Sequence, residues 1–74
     1  PMKPESNLKN YERLVSLLVA ARYKQSLSQE ALAHSIGCAT SLVHKWETHK
    51  RIPSGFMLIC WLDALDHSIE IKEK

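Results

Sequence analysis

The stretch "SIGCATSLVHKWETHKR", residues 35–51, gathers the side chains best able to make directional contacts. They are the hydroxyls of Thr40 and Ser41, the imidazole of His44, the ammonium of Lys45 and the adjacent cations Lys50 and Arg51. Hydroxyls donate and accept, and an ammonium only donates, so these residues offer recognition by hydrogen bonds and charge. Bond-making chemistry lacks its parts: His34 and His67 have no acid-base partner evident in sequence, and there is no nucleophile motif, phosphate loop or carboxylate pair of recognisable spacing. An enzyme is therefore not expected. Cys38, His44 and His49 match no zinc-ligand spacing, so no metal and no other cofactor is expected. Cys38 and Cys60 stand among apolar neighbours and read as buried free thiols.

The chain has 74 residues, enough for one small domain in a size range where a single core is marginal and a second chain often adds buried surface. A homodimer is thus an early expectation. The net charge of +2 is too small to identify a partner, and its distribution is more informative. Residues 22–62 carry an excess of three positive charges and residues 63–74 an excess of two negative ones. The longest apolar run, "LLVAA" at 17–21, is too short to span a bilayer, and no basic-then-apolar leader precedes it. A soluble cytoplasmic protein is the expectation. Pro1 ahead of Met2 reads as a residue left by tag removal, and residues 1–7 as a flexible lead-in with Ser6 or Asn7 capping the first helix.

Four helices must position the polar stretch. Tyr11, Leu14, Val15, Leu18 and Ala21 recur at three- and four-residue spacing, which predicts a helix from about Leu8 to Lys24. Ser28 is a natural N-cap for a short helix, Gln29 to Ile36, which Gly37 ends in a left-handed turn. A third helix from Thr40 to about Thr48 buries Val43 and Trp46 on one face. Pro53 breaks the chain, and Ser54 caps a fourth helix to about Leu65 with Phe56, Ile59, Leu62 and Leu65 as its apolar stripe. The end, "SIEIKEK", alternates Ile69 and Ile71 with charges, the pattern of a half-buried strand. A lone strand either stays disordered or pairs with another molecule's tail.

Two short helices joined by a tight glycine turn, with Leu32, Ala33, Ile36, Cys38, Val43 and Trp46 inward, satisfy the requirement of a helix-turn-helix, whose second helix enters the DNA major groove. The stretch "LSQEALAHSIGCATSLVHKWETHKRIPS", Leu27 to Ser54, resembles the Cro/C1-type (XRE-type) helix-turn-helix transcription regulators, and the resemblance extends over roughly residues 8–65. It implies an all-α, compact four- or five-helix lambda-repressor-like DNA-binding domain, with the helix-turn-helix at about 28–48 and residues 66–74 as a tail. It also implies a phage or bacterial homodimeric repressor on a palindromic double-stranded operator.

Carried over by position, the resemblance puts Thr40, Ser41, Lys45 and His44 at base edges or adjacent phosphates. Gln29, Lys50, Arg51 and Ser54 fall at phosphate-contacting positions, and Gln29 can also brace the recognition helix. Arg22 and Glu47 occupy positions that in this family often form an ion pair between the first and third helices. Leu42 either packs inward or touches a thymine methyl. The chain departs from the pattern twice. Ala39 replaces the usual Ser or Thr cap, which could shift the helix start, and His49 replaces a glycine, which could lengthen or distort the helix exit. Ile69 and Ile71 are the candidate dimerisation residues. The rival reading is an antitoxin or adaptor module that holds a partner protein through Met57 and Trp61, if those are exposed.

Overall fold

An apolar face at three- and four-residue spacing makes α1 (Pro4–Lys24) the longest helix of the computed structural model, which describes residues 4–73. Val15, Leu18 and Arg22 are its buried residues, with Tyr11, Leu14 and Ala21 packed beside the core. Ser6 and Asn7 lie inside α1 and do not cap it, so residues 4–7 are helix and not the expected lead-in. Pro4 suits a first turn, where its missing N–H would have no acceptor, and Glu5 complements the positive end of the helix dipole. Pro1, read as a tag remnant, lies outside the described residues.

Three shorter helices follow: α2 (Gln29–Ile36), α3 (Thr40–Glu47) and α4 (Gly55–Ala64). Ser28 and Ser54 cap α2 and α4, accepting from Ala31 N at 2.9 Å and Met57 N at 3.1 Å. The helix ends share one device. Ser26, Gly37, His49 and Asp66 take positive φ of 56°, 88°, 61° and 60°, and in each case the next N–H turns back to a carbonyl five residues earlier. These bonds run from Leu27 to Arg22, Cys38 to Ala33, Lys50 to Lys45 and His67 to Leu62, at 2.8–3.1 Å. At Gly37 an added Cβ would meet nothing within 4 Å, so the backbone conformation, and not crowding, favours glycine there.

His49 adopts the left-handed conformation itself, so α3 ends at Glu47 and is not lengthened. A side chain in this region costs about 1 kcal/mol more than glycine. His49 is exposed, and His49→Gly is therefore expected to stabilise the domain by about 1 kcal/mol, a rise in Tm of roughly 4–8 °C by calorimetry.

The core lies where α2 packs against α3 and α4, and α3 against α1. It contains Val15, Leu18, Leu32, Ala33, Val43, Trp46, Trp61, Leu62 and Leu65. Ala33 is 1% exposed on α2, where a larger side chain would push the packed helices apart. The ring centroids of Trp46 and Trp61 are 5.3 Å apart and tilted by 30°. This pairing sets the rotation of α4 and corrects its expected stripe: Trp61, Leu62 and Leu65 face inward, while Phe56 is 75% and Ile59 49% exposed. Trp61 is fully buried and Met57 half-buried, which corrects the exposed surface required by the adaptor reading. Gln25 Nε2 donates to Leu65 O at 2.7 Å and joins the ends of α1 and α4.

The result is a compact all-helical domain of four helices with no strand among the described residues. The tail beyond Asp66 is irregular, with Ile69 half-exposed and Ile71 93% exposed. A single chain offers this segment no strand to pair with, and within one chain the possible C-terminal strand is not formed.

Candidate nucleic-acid interface

α3 presents two different faces. Val43 and Trp46 are fully buried, while Thr40, Ser41, His44 and Lys45 are all exposed on the outside. Residues three and four apart lie together on a helix, so Ser41, His44 and Lys45 form one continuous polar strip with Thr40 at its start. Leu42 at its edge is half-buried and packs on the core, beside Trp46 and Met57 in a groove that Arg51 and Ser54 also line.

A network buried between the helices fixes this strip in place. Arg22 Nε donates to Glu47 Oε2 at 2.7 Å and Nη2 to Oε1 at 2.9 Å, a two-point ion pair with side chains 7% and 5% exposed. Gln29 Nε2 donates to the same Glu47 Oε1 at 2.9 Å. Arg22 Nη1 donates to Leu27 O at 2.9 Å, and its guanidinium carbon lies 4.5 Å from the centre of the Tyr23 ring. α1, α2, α3 and the α1–α2 turn thus meet on one guanidinium and one carboxylate. The hydrogen bonds to Glu47 push the Arg22 pKa above its ordinary range, outweighing the opposing effect of burial.

The loop after α3 is tied to the same helix. Lys50 N and Arg51 N both donate to Lys45 O, at 2.8 and 3.2 Å, and Thr48 Oγ1 donates to His44 O at 2.8 Å. Lys50 and Arg51 are exposed, close in sequence and space to the exit of the polar strip. Ser54 is exposed, and its hydroxyl oxygen already accepts at the start of α4. Gln29 is half-buried and engaged with Glu47, so its carboxamide is a brace with one N–H committed inward.

Thus Arg22, Gln29 and Glu47 are brought together inside, Thr40, Ser41, His44 and Lys45 share the outside of α3, and Lys50, Arg51 and Ser54 continue along the following loop. Ile69 and Ile71 lie away from this group on the tail. The sequence reading missed Leu27 O and Tyr23 as partners of Arg22, and Gln25 as the link to α4. A carbonyl acceptor leaves no mark in sequence, and adjacent residues on a helix do not ordinarily face each other.

Ala39 holds the N-cap position of α3 without a side-chain bond, yet the helix still starts at Thr40. Its backbone, φ −72° and ψ 143°, is already that of a capping residue. Ala39→Ser is expected to raise stability by about 1 kcal/mol in urea titrations.

Other reactive groups are distinct from this face. Burial pushes the Cys38 thiol up in pKa, away from the thiolate that would act as a nucleophile or metal ligand. Tyr11 is likewise pushed up by burial, and its hydroxyl and the Trp61 indole N–H are buried without a hydrogen-bond partner among the described residues. No three His, Cys, Asp or Glu side chains are placed to share a metal among the described residues. Among the described residues no helix is long and apolar enough to cross a membrane.

No protein-family model, curated protein or solved structure matches this chain.

Proposed function

We propose that this chain is a sequence-specific double-stranded DNA-binding transcription regulator of the Cro/C1 (XRE) type. It acts in the cytoplasm of a bacterial or phage-infected cell as a homodimeric repressor, without enzymatic activity or a cofactor. Its fold is then lambda-repressor-like, α2 and α3 form the helix-turn-helix, and α3 enters the major groove. The observation that carries the reading is the division of α3: Val43 and Trp46 are fully buried while Thr40, Ser41, His44 and Lys45 are exposed together.

In this reading the hydroxyls of Thr40 and Ser41 donate to or accept from base edges, and Lys45 donates to guanine O6 and N7. His44 contacts a base or an adjacent phosphate. Lys50, Arg51 and Ser54 hold the sugar-phosphate backbone, and Gln29 uses its remaining N–H for a phosphate while bracing Glu47. Two protomers present their α3 helices about 34 Å apart, one turn of the duplex, and repression follows where the site overlaps a promoter.

Electrophoretic mobility shift with random-sequence duplex at low salt tests the reading. Retardation that fades steeply as salt rises is expected, because each phosphate contact releases counterions. Absence of any complex at low salt would remove the proposal. The adaptor reading has lost Trp61 as a contact, since that residue is fully buried.

A further inference from the structure

We infer that the outer face of α4 is a self-association surface, on which a second copy of this chain docks antiparallel about a two-fold axis between Phe56 and Ile59. Phe56 and Ile59 are exposed on α4, and Ile52 just before it is 63% exposed. α4 carries no charge before Asp63, and Phe56 and Ile59, three residues apart, make the exposed part of this face apolar up to that carboxylate. The tail extends it: Ile69 and Ile59 line one groove of about 270 Å³, with Asp63 and His67 at its edge. Five of the chain's exposed large apolar side chains, Ile52, Phe56, Ile59, Ile69 and Ile71, belong to α4 and its flanks, whereas α3 contributes none. Clustered apolar exposure of this kind marks an association surface more often than scattered residues do.

Charge selects the occupant. Lys50 and Arg51 stand ahead of α4, and Asp63 and Asp66 at its far end, all exposed. Among the described residues the ion pair present is Arg22–Glu47, so none of these four charges is paired with another described residue. α4 is ten residues long, about 15 Å. Laid antiparallel on a second copy, its basic end meets the acidic end of the other on both sides of an apolar centre. A parallel arrangement would bring like charges together. A two-fold contact needs this kind of self-complementarity, which α4 and the residues on either side of it carry here. The guanidinium of Arg51 has five N–H donors, enough to serve Asp63 of the second copy and a phosphate together. The inference places the dimer contact on α4, with Ile69 at its margin, and removes the need for a paired tail strand.

It draws on the homodimer of the proposed function but not on DNA binding, and its test contains no DNA. Sedimentation equilibrium of the full chain is expected to show a dimer, with Phe56→Glu and Ile59→Glu each giving a folded monomer by circular dichroism. Arg51→Asp and Asp63→Lys are each expected to weaken the dimer about tenfold by setting like charges together. The double variant restores it, an outcome that a structural role within one chain would not produce. A wild-type chain that stays monomeric to its solubility limit overturns the inference. So does a dimer that keeps its affinity in Phe56→Glu and Ile59→Glu but falls apart on deletion of residues 68–74, or a charge-exchanged double variant no tighter than its parents. A dimer with no affinity for DNA would leave this interface standing and remove the regulator.

Discussion

Glu47→Ala is expected to destabilise the domain by about 3–5 kcal/mol, the largest effect of any single polar substitution in the chain. The carboxylate receives two hydrogen bonds from Arg22 and one from Gln29, and both charged side chains are more than nine-tenths buried. Removing Glu47 strands a guanidinium that no water reaches freely, and it is this uncompensated charge that costs the energy. The intact pair contributes far less, since desolvation offsets much of its attraction. Arg22→Met with Glu47→Leu is therefore expected to recover most of the loss. Urea denaturation of the unaltered chain and the two variants measures both effects. A domain this small has only a few kcal/mol of stability, so Glu47→Ala should be largely unfolded at ambient temperature. A cost below about 1 kcal/mol would mean that the pair behaves as an exposed one.

The second large effect concerns DNA affinity and leaves stability untouched. Lys45→Ala is expected to weaken binding by about 1–3 kcal/mol and to relax the preference at one base position per half-site. Lys50→Ala should instead weaken all duplexes alike. It should also flatten the slope of log affinity against log salt by about 2 for a dimer, roughly one for each of the two cations lost. Both side chains are exposed, so Tm should stay within the range of surface substitutions, about 0.5 kcal/mol. Fluorescence anisotropy across a salt series distinguishes the two classes. Equal loss on specific and random duplex for Lys45→Ala would move that residue from the bases to the backbone.

Why one part of this architecture was readable and another was not can be traced to individual residues. Ser28, Gly37, Pro53 and Ser54 each impose a local conformation or cap, and α2, α3 and the start of α4 fall where they stand. Val43 and Trp46 have one face to occupy in an eight-residue helix, which leaves Thr40, Ser41, His44 and Lys45 outside. The sequence "GFMLICWLDA" is apolar on every side, so periodicity could not choose between the Phe56–Ile59 face and the Trp61–Leu62 face. The stacking of Trp61 on Trp46, a contact fifteen residues away along the chain, made that choice. Ser26, His49 and Asp66 end helices in a conformation usually signalled by glycine, and residue type gives little warning of it. At the site, Arg22 continues the apolar stripe of Val15 and Leu18, which explains why a charged residue comes to lie beside the core.

Selection of bound sequences from a random duplex library measures most directly whether the outer face of α3 reads DNA. The expected result is a two-fold consensus whose half-site centres lie one helical turn apart, about 10 base pairs, with one position in each half losing its preference in Lys45→Ala. Recovery of no enriched sequence, or of a consensus unchanged when Thr40, Ser41 and Lys45 are replaced by alanine, would contradict it.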